Sequence, residues 1–205
     1  VTVSPEKSSD QPWSVSVPSP RRTAPVHLVT PQQQPRRAPI DPAQPVRWHA
    51  VRTLERQERP VADAMHRAGL DHYLPIVTIF REHATGTTRS AEVLFERHVF
   101  LHGDEDAVQY AWKIRRVHDI QCIDDQQSFS RELDQVRRAT GSGAMLMPTS
   151  YVERGRPARI EGGPCDGVEG MIDPFGPPNI LLLQLSALRM ATSLAVDFDR
   201  IVPLP

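Results

Sequence analysis

The sequence predicts an α+β chain with two folded parts. An antiparallel-sheet α/β sandwich is expected over residues 47–139 and a small all-β barrel over 151–205, joined by a linker over 140–150. Three observations carry this. Ten of the chain's twenty prolines crowd into residues 1–46, which show no sustained apolar pattern. From Val46 to Thr140, apolar residues at period two alternate with apolar residues at helical spacing. After residue 150, helical spacing gives way to short apolar beats and glycine turns.

The opening segment, with PQQQPRRAP and SVPSPRR, cannot bury enough surface to offset the entropy of ordering it, so a disordered tail is expected over 1–46. VRWHAVRT alternates Val46, Trp48 and Ala50 against Arg47, His49 and Arg52, which is a strand. RQERPVADAMHRAG places Val61, Met65 and Ala68 on one helical face. Pro60 is tolerated only in a first turn, so this helix should start near Gln57 or Glu58, with Gly69 as its stop. YLPIVTIF reads as a second strand, with Pro75 marking an edge or bulge. EHATGTTRS is a turn-rich tip centred on Gly86, and EVLFERHVFLHG returns as one or two strands. Asp104 can cap a helix carrying Val108, Ala111, Trp112 and Arg115. A short strand from Asp119 to Ile123 and a helix over SFSRELDQVRRAT, with Phe129, Leu133 and Val136 inward, complete the sandwich. Its helices are expected on one face of the sheet. A five-stranded barrel is the natural fold for the rest.

RIEGGPCDGVEG, Arg159 to Gly170, raises the question of a phosphate or metal loop. A P-loop needs a lysine and a hydroxyl that are missing here, and an EF-hand needs more carboxylates than Asp166 and Glu169. A barrel turn fits better, with Gly162 and Gly163 at positive φ, Pro164 stiffening the turn, and Gly167 and Gly170 allowing close backbone approach. Farther on, NILLLQLSALRMATSLA alternates as strands. It also carries a helical stripe through Ile180, Leu183, Ala187, Leu188, Ala191 and Leu194, so the run also fits a second, helical state.

Bulk charge, −1 over 205 residues, supplies no general attraction to nucleic acid. The tail carries five basic and three acidic residues, while residues 151–205 carry five basic and seven acidic. Arginine replaces lysine nearly everywhere, Lys7 and Lys113 excepted. Cys122 and Cys165 form no CxxC pair, which argues against structural zinc and fits a reducing cytoplasm. No apolar run reaches a membrane span and no signal peptide is expected. Six of the eight histidines, His66, His72, His83, His98, His102 and His118, are scattered without HExxH spacing or a nucleophile elbow. No enzyme and no cofactor are expected.

Six stretches together carry a resemblance. ARIEGGPCDGVEGMI resembles the KOW motif, and MATSLAVDFDRIVPL the closing strands of the same module in NusG-type transcription factors. WHAVRTLERQE and HYLPIVTIFR resemble the opening elements of the NusG N-terminal (NGN) domain, and LFERHVFL its later strand. IRRVHDI falls at a further matching stretch. Over residues 47–205 the chain is therefore similar to NusG factors, with a ferredoxin- or RRM-like NGN domain followed by an SH3-like KOW barrel.

This resemblance implies a cytoplasmic, monomeric factor for transcription elongation or antitermination, binding the clamp helices of bacterial RNA polymerase through an apolar depression. Phe95, His98, Phe100 and Tyr73 stand at the matching positions, with Ile79 a possible neighbour. Phe95 and Phe100 are an odd number of residues apart, so both point inward only if a bulge intervenes. Glu96-Arg97-His98 replaces the family's Pro-Gly-Tyr, giving a more charged surface. Arg52, Arg56 and Arg59, with Arg47, are placed for upstream or non-template DNA. In the barrel, Pro164, Cys165 and Asp166 mark the surface that recruits Rho or a ribosomal protein, with Cys165 in place of an aromatic anchor. The rival reading is a KOW-type RNA- or ribosome-binding protein without polymerase activity. The acidic balance of residues 151–205 opposes it.

Overall fold

Alternating side chains of one strand, β1 (Arg47–Thr53), organise the amino-terminal half. His49 and Val51 point to one face, and Trp48 and Ala50 to the other. The computed structural model describes residues 45–83 and 86–205; the tail expected over 1–46 lies outside the described residues except for Pro45 and Val46. After β1 come α1 (Glu58–Arg67), β2 (Asp71–Tyr73), β3 (Ile76–His83), β4 (Gly86–Val93), β5 (His98–Gly103), α2 (Glu105–Trp112), β6 (Val117–Cys122) and α3 (Gln126–Gly141). A four-stranded sheet has the order β2-β5-β1-β6, and β3 and β4 form a separate two-stranded hairpin. The β1 pairings with β5 and β6 are antiparallel, with a register shift at Arg52/Thr53.

Several local expectations hold. α1 starts at Glu58 and puts Pro60 in its first turn. It ends with Gly69 at φ 71°, where the amides of Gly69 and Leu70 bond back to His66 and Met65. Asp104 caps α2 by accepting from the Ala107 amide at 3.0 Å, though α2 stops at Trp112, short of Arg115.

Other expectations are corrected. The run YLPIVTIF is two strands, because Pro75 has no N–H for a ladder and the chain leaves the sheet there. The helices cover both faces of the sheet. Val51, Val99 and Leu101 pack under α1 and α2, with Val61, Met65 and Ala111. Ala50 and Phe100 pack under α3, with Phe129, Leu133 and Val136. The expected linker over 140–150 is largely structured. Thr140 and Gly141 close α3, and Leu146–Thr149 is a strand, β7, paired with β11.

The carboxy-terminal part adds β8 (Arg156–Ile160), β9 (Glu169–Ile172), β10 (Ile180–Leu185), β11 (Met190–Ala195) and β12 (Ile201–Pro203). With β7 they make one six-stranded sheet, β12-β8-β9-β10-β11-β7, rather than the five strands expected. The ambivalent leucine run is an antiparallel strand pair, β10 and β11, joined through a 3₁₀ turn at Ser186–Leu188 and the left-handed residue Arg189. The RIEGGPCDGVEG stretch is a turn, as its glycines suggest. Gly162, Gly163 and Gly167 have φ of 80°, 77° and 71°. A Cβ at Gly170 would lie 2.5 Å from the Leu182 carbonyl oxygen, so only glycine lets β9 approach β10 there.

The described residues belong to one compact unit. One core cluster runs from Phe95, Phe100 and Phe129 through Val136 and Ala139 to Leu181, Leu183 and Leu194. α3 thus lies between the four-stranded sheet and the six-stranded one. Phe129 is its central ring, 5.6 Å from Phe100 and 6.2 Å from Trp48 between centroids. Phe129→Ala is expected to cost about 3–5 kcal/mol of stability, read as a lowered midpoint in urea denaturation.

Candidate docking surfaces and the latch between them

Phe95 and Phe100 are not on the surface: they are 2 % and 0 % exposed. Both rings face α3's side of the sheet, 6.0 Å apart. The intervening irregularity that would allow this exists. Phe95 lies in a turn before β5, where the His98 amide donates to the Phe95 carbonyl and Arg97 takes φ 62°. That left-handed residue is held by the buried carboxylate of Glu58, which accepts the Arg97 amide at 2.6 Å. The two phenylalanines are core residues, and the expected apolar depression is not built from them.

His98 and Tyr73 keep partial exposure on the same face of the sheet. The Tyr73 hydroxyl shares a hydrogen bond of 3.1 Å with Thr140 of α3, and the Arg137 guanidinium lies 4.7 Å from its ring centroid. Burial raises its phenol above the ordinary value. His98 lines a cleft of about 360 Å³ whose other wall is the barrel's Ala187, Leu188 and Arg189, with Arg52 and Gln121 beside it. Burial lowers its imidazole below the ordinary value; the Glu96 carbonyl opposes this, and Arg52 and Arg97 add to it.

The arginines expected to meet DNA do not converge. Arg52 lines the His98 cleft. Arg56 sits at φ 57° in the turn after β1. Arg59 donates to the Ala91 carbonyl of β4 at 2.7 Å.

In the barrel, the expected partner surface is split: Pro164 and Asp166 are exposed and Cys165 is buried. Cys165 is 9 % exposed, with its thiol 3.1 Å from the Ser142 hydroxyl just beyond α3. Asp166 accepts the Gly162 amide at 2.6 Å, and its carbonyl accepts from Arg138 of α3. Pro164, exposed like Asp166, makes no such contact.

The feature missed in the sequence is a polar latch along α3. The Glu132 carboxylate accepts the Ser186 amide at 2.8 Å, and the Gln135 side-chain oxygen accepts the Glu169 amide at 2.9 Å. Arg138 donates to the carbonyls of Gly167 at 3.1 Å and Asp166 at 3.3 Å. Glu132, Gln135 and Arg138 recur at a spacing of three, which was legible as a polar stripe. Such a stripe reads as a solvated face until a partner is seen against it.

These layers define a class: an α/β sandwich whose outer helix carries a docked β sheet. A family model described as "Transcription termination factor nusG" matches residues 46–154, more than half the chain. The chain belongs to the NusG family of transcription factors. The match ends before β8. Among solved structures, the chain is similar to one titled "Domain interaction in Thermotoga maritima NusG", with 16 % identity, a TM-score of 0.43, and coverage of 78 % of this chain and 98 % of that one. It is also similar to an MjSpt4:Spt5 complex, conformation A, with 15 % identity, a TM-score of 0.26, and coverage of 77 % and 97 %. No curated protein matches.

His49 and His98 both have imidazoles lowered by burial. The folded protein therefore binds fewer protons than the unfolded chain once pH drops below about 6.5. Their contribution is complete above that value and is lost as pH falls towards the lowered folded values. Urea midpoints should decline below about pH 6.5, and His98→Gln should remove part of that decline. An unchanged slope in His98→Gln would show that the cleft solvates the ring.

Proposed function

We propose that the protein is a transcription elongation or antitermination factor acting in the cytoplasm. It binds the clamp helices of bacterial RNA polymerase through the face of the four-stranded sheet that carries His98 and Tyr73. The family match over residues 46–154 carries this reading. The barrel is the module that recruits a further protein, a ribosomal protein or Rho, and it does no chemistry. The NGN domain is residues 47–139 and the KOW barrel follows, with β7 as the strand that joins it to α3. Contact with the DNA backbone, which positions without reading sequence, falls to Arg56 in the turn after β1, since Arg52 lines the His98 cleft and Arg59 is bonded to the Ala91 carbonyl.

The arrangement adds a condition. The barrel's Ala187, Leu188 and Arg189 stand over the His98 cleft, and its glycine turn is held by Arg138. Polymerase engagement through this face requires the barrel to leave, so the apparent affinity is the intrinsic one reduced by the fraction of molecules that are open.

The test is retention of RNA polymerase elongation complexes by the full chain and by Glu132→Ala/Arg138→Ala. Hydrogen bonds at this exposure contribute about 0.5–1 kcal/mol each. Their loss should tighten polymerase binding on the order of tenfold. Equal binding by both proteins would show that the docked barrel leaves the polymerase face free. No binding by either would reject the polymerase reading.

A further inference from the structure

The six-stranded sheet begins with β12 and ends with β7, and each of these strands is paired on one side. Among the described residues β7 pairs with β11 alone and β12 with β8 alone, and both registers run without a shift. An edge of this kind offers unpaired amides and carbonyls to another strand, and proteins blunt it with charge, a bulge, a cover or proline. The other edges of this molecule carry charge. β2 has Asp71, β6 has Asp119, and the hairpin strands β3 and β4 have Arg81 and Arg89. β7 (Leu-Met-Pro-Thr) and β12 (Ile-Val-Pro) have none. They are also apolar: Met147 is 45 % exposed, and Ile201 and Val202 are half-buried.

Each of the two strands holds a proline, and the hydrogen bonds fix the direction it faces. Successive residues of a strand turn their backbone groups to opposite edges. In β7 the Met147 carbonyl accepts the Thr192 hydroxyl at 2.9 Å and the Ser193 hydroxyl at 3.2 Å, so Met147 faces β11. Leu146 and Pro148 therefore face away from the sheet. At β12 the Glu161 amide donates to the Arg200 carbonyl at 2.8 Å, and the Leu204 amide donates to the Pro157 carbonyl at 2.8 Å. Residues 200, 202 and 204 thus face β8, and Ile201 and Pro203 face away. Pro148 and Pro203 are both exposed. Each outward row has two positions within its strand. Proline removes the donor from one of them and sets its ring where a neighbouring strand would lie.

We infer that Pro148 and Pro203 are edge stops that keep two copies of this chain from joining their six-stranded sheets strand to strand. The excluded partner is a second copy, because antiparallel pairing of one edge with itself is self-complementary and needs no other sequence. The barrel accordingly meets other proteins through side chains and turns, not by adding a strand at β7 or β12. The assignment rests on the ladder and does not depend on polymerase binding.

The experiment is sedimentation velocity over a wide range of concentration on the full chain, Pro148→Val, Pro203→Val and the double variant. Wild type should sediment as a 23.0 kDa monomer throughout. Each single variant should move towards twice that mass as concentration rises, and the double variant, open at both edges, towards larger assemblies. Both prolines are exposed and face away from their paired neighbours, so the variants should keep the wild-type circular dichroism. Pro148→Lys restores the amide but places a charge on the edge, and it should sediment as wild type does. Valine variants that stay monomeric over the whole range would overturn the inference. So would a wild type that associates as strongly as they do, or association that appears only with loss of the native circular dichroism.

Discussion

Everything in this molecule depends on one apolar stripe of α3 serving two sheets at once. α3 puts Phe129, Leu133 and Val136 into a cluster that continues without a break from the aromatic face of the four-stranded sheet to the leucines of β10. A helix of an isolated sandwich would bury one stripe and show the other side to water. Here one flank of that stripe is covered by a second β structure, while Arg131 and Asp134 on the far side stay exposed. The two halves consequently share one core and form one compact unit. The polar contacts of Glu132, Gln135 and Arg138 set the register of that packing, while the apolar area supplies most of its strength.

That shared helix links the fold to function. His98 of the sheet and the glycine turn at residues 162–167 are both turned towards the junction. His98 looks at Leu188 across a narrow cleft, and Cys165 touches Ser142. The Glu96-Arg97-His98 run and the cysteine at 165 are thereby explained within the chain. The first forms a left-handed turn fastened to Glu58, and the second is a small side chain that fits under the end of α3.

Much of the fold was legible because local chemistry and tertiary need agree. Pro60 and Gly69 bracket α1, Asp104 opens α2, and the glycines of residues 162–170 sit where positive φ or close approach demands them. The site was less legible. Phe95 and Phe100 look like surface anchors only if the strand is taken as continuous; the turn at residues 94–97 puts both on the buried side. The leucine run of residues 180–195 satisfies strand and helix periods alike, and neighbours decide between them: β10 gains β9 and β11 as hydrogen-bonding partners.

The sequence by itself determined the element types, the order of sandwich and barrel, and the membership of a family, because caps, turns and apolar periods act over a few residues. Tertiary structure decided which faces are covered. The helices divide between the two sides of the sheet, Leu146–Thr149 becomes a strand, and the barrel rests on α3, because each of these outcomes joins groups far apart in the chain. A stripe of Glu132, Gln135 and Arg138 is the same in water or against a partner. Only the presence of Ser186, Glu169 and Gly167 opposite it makes it a latch.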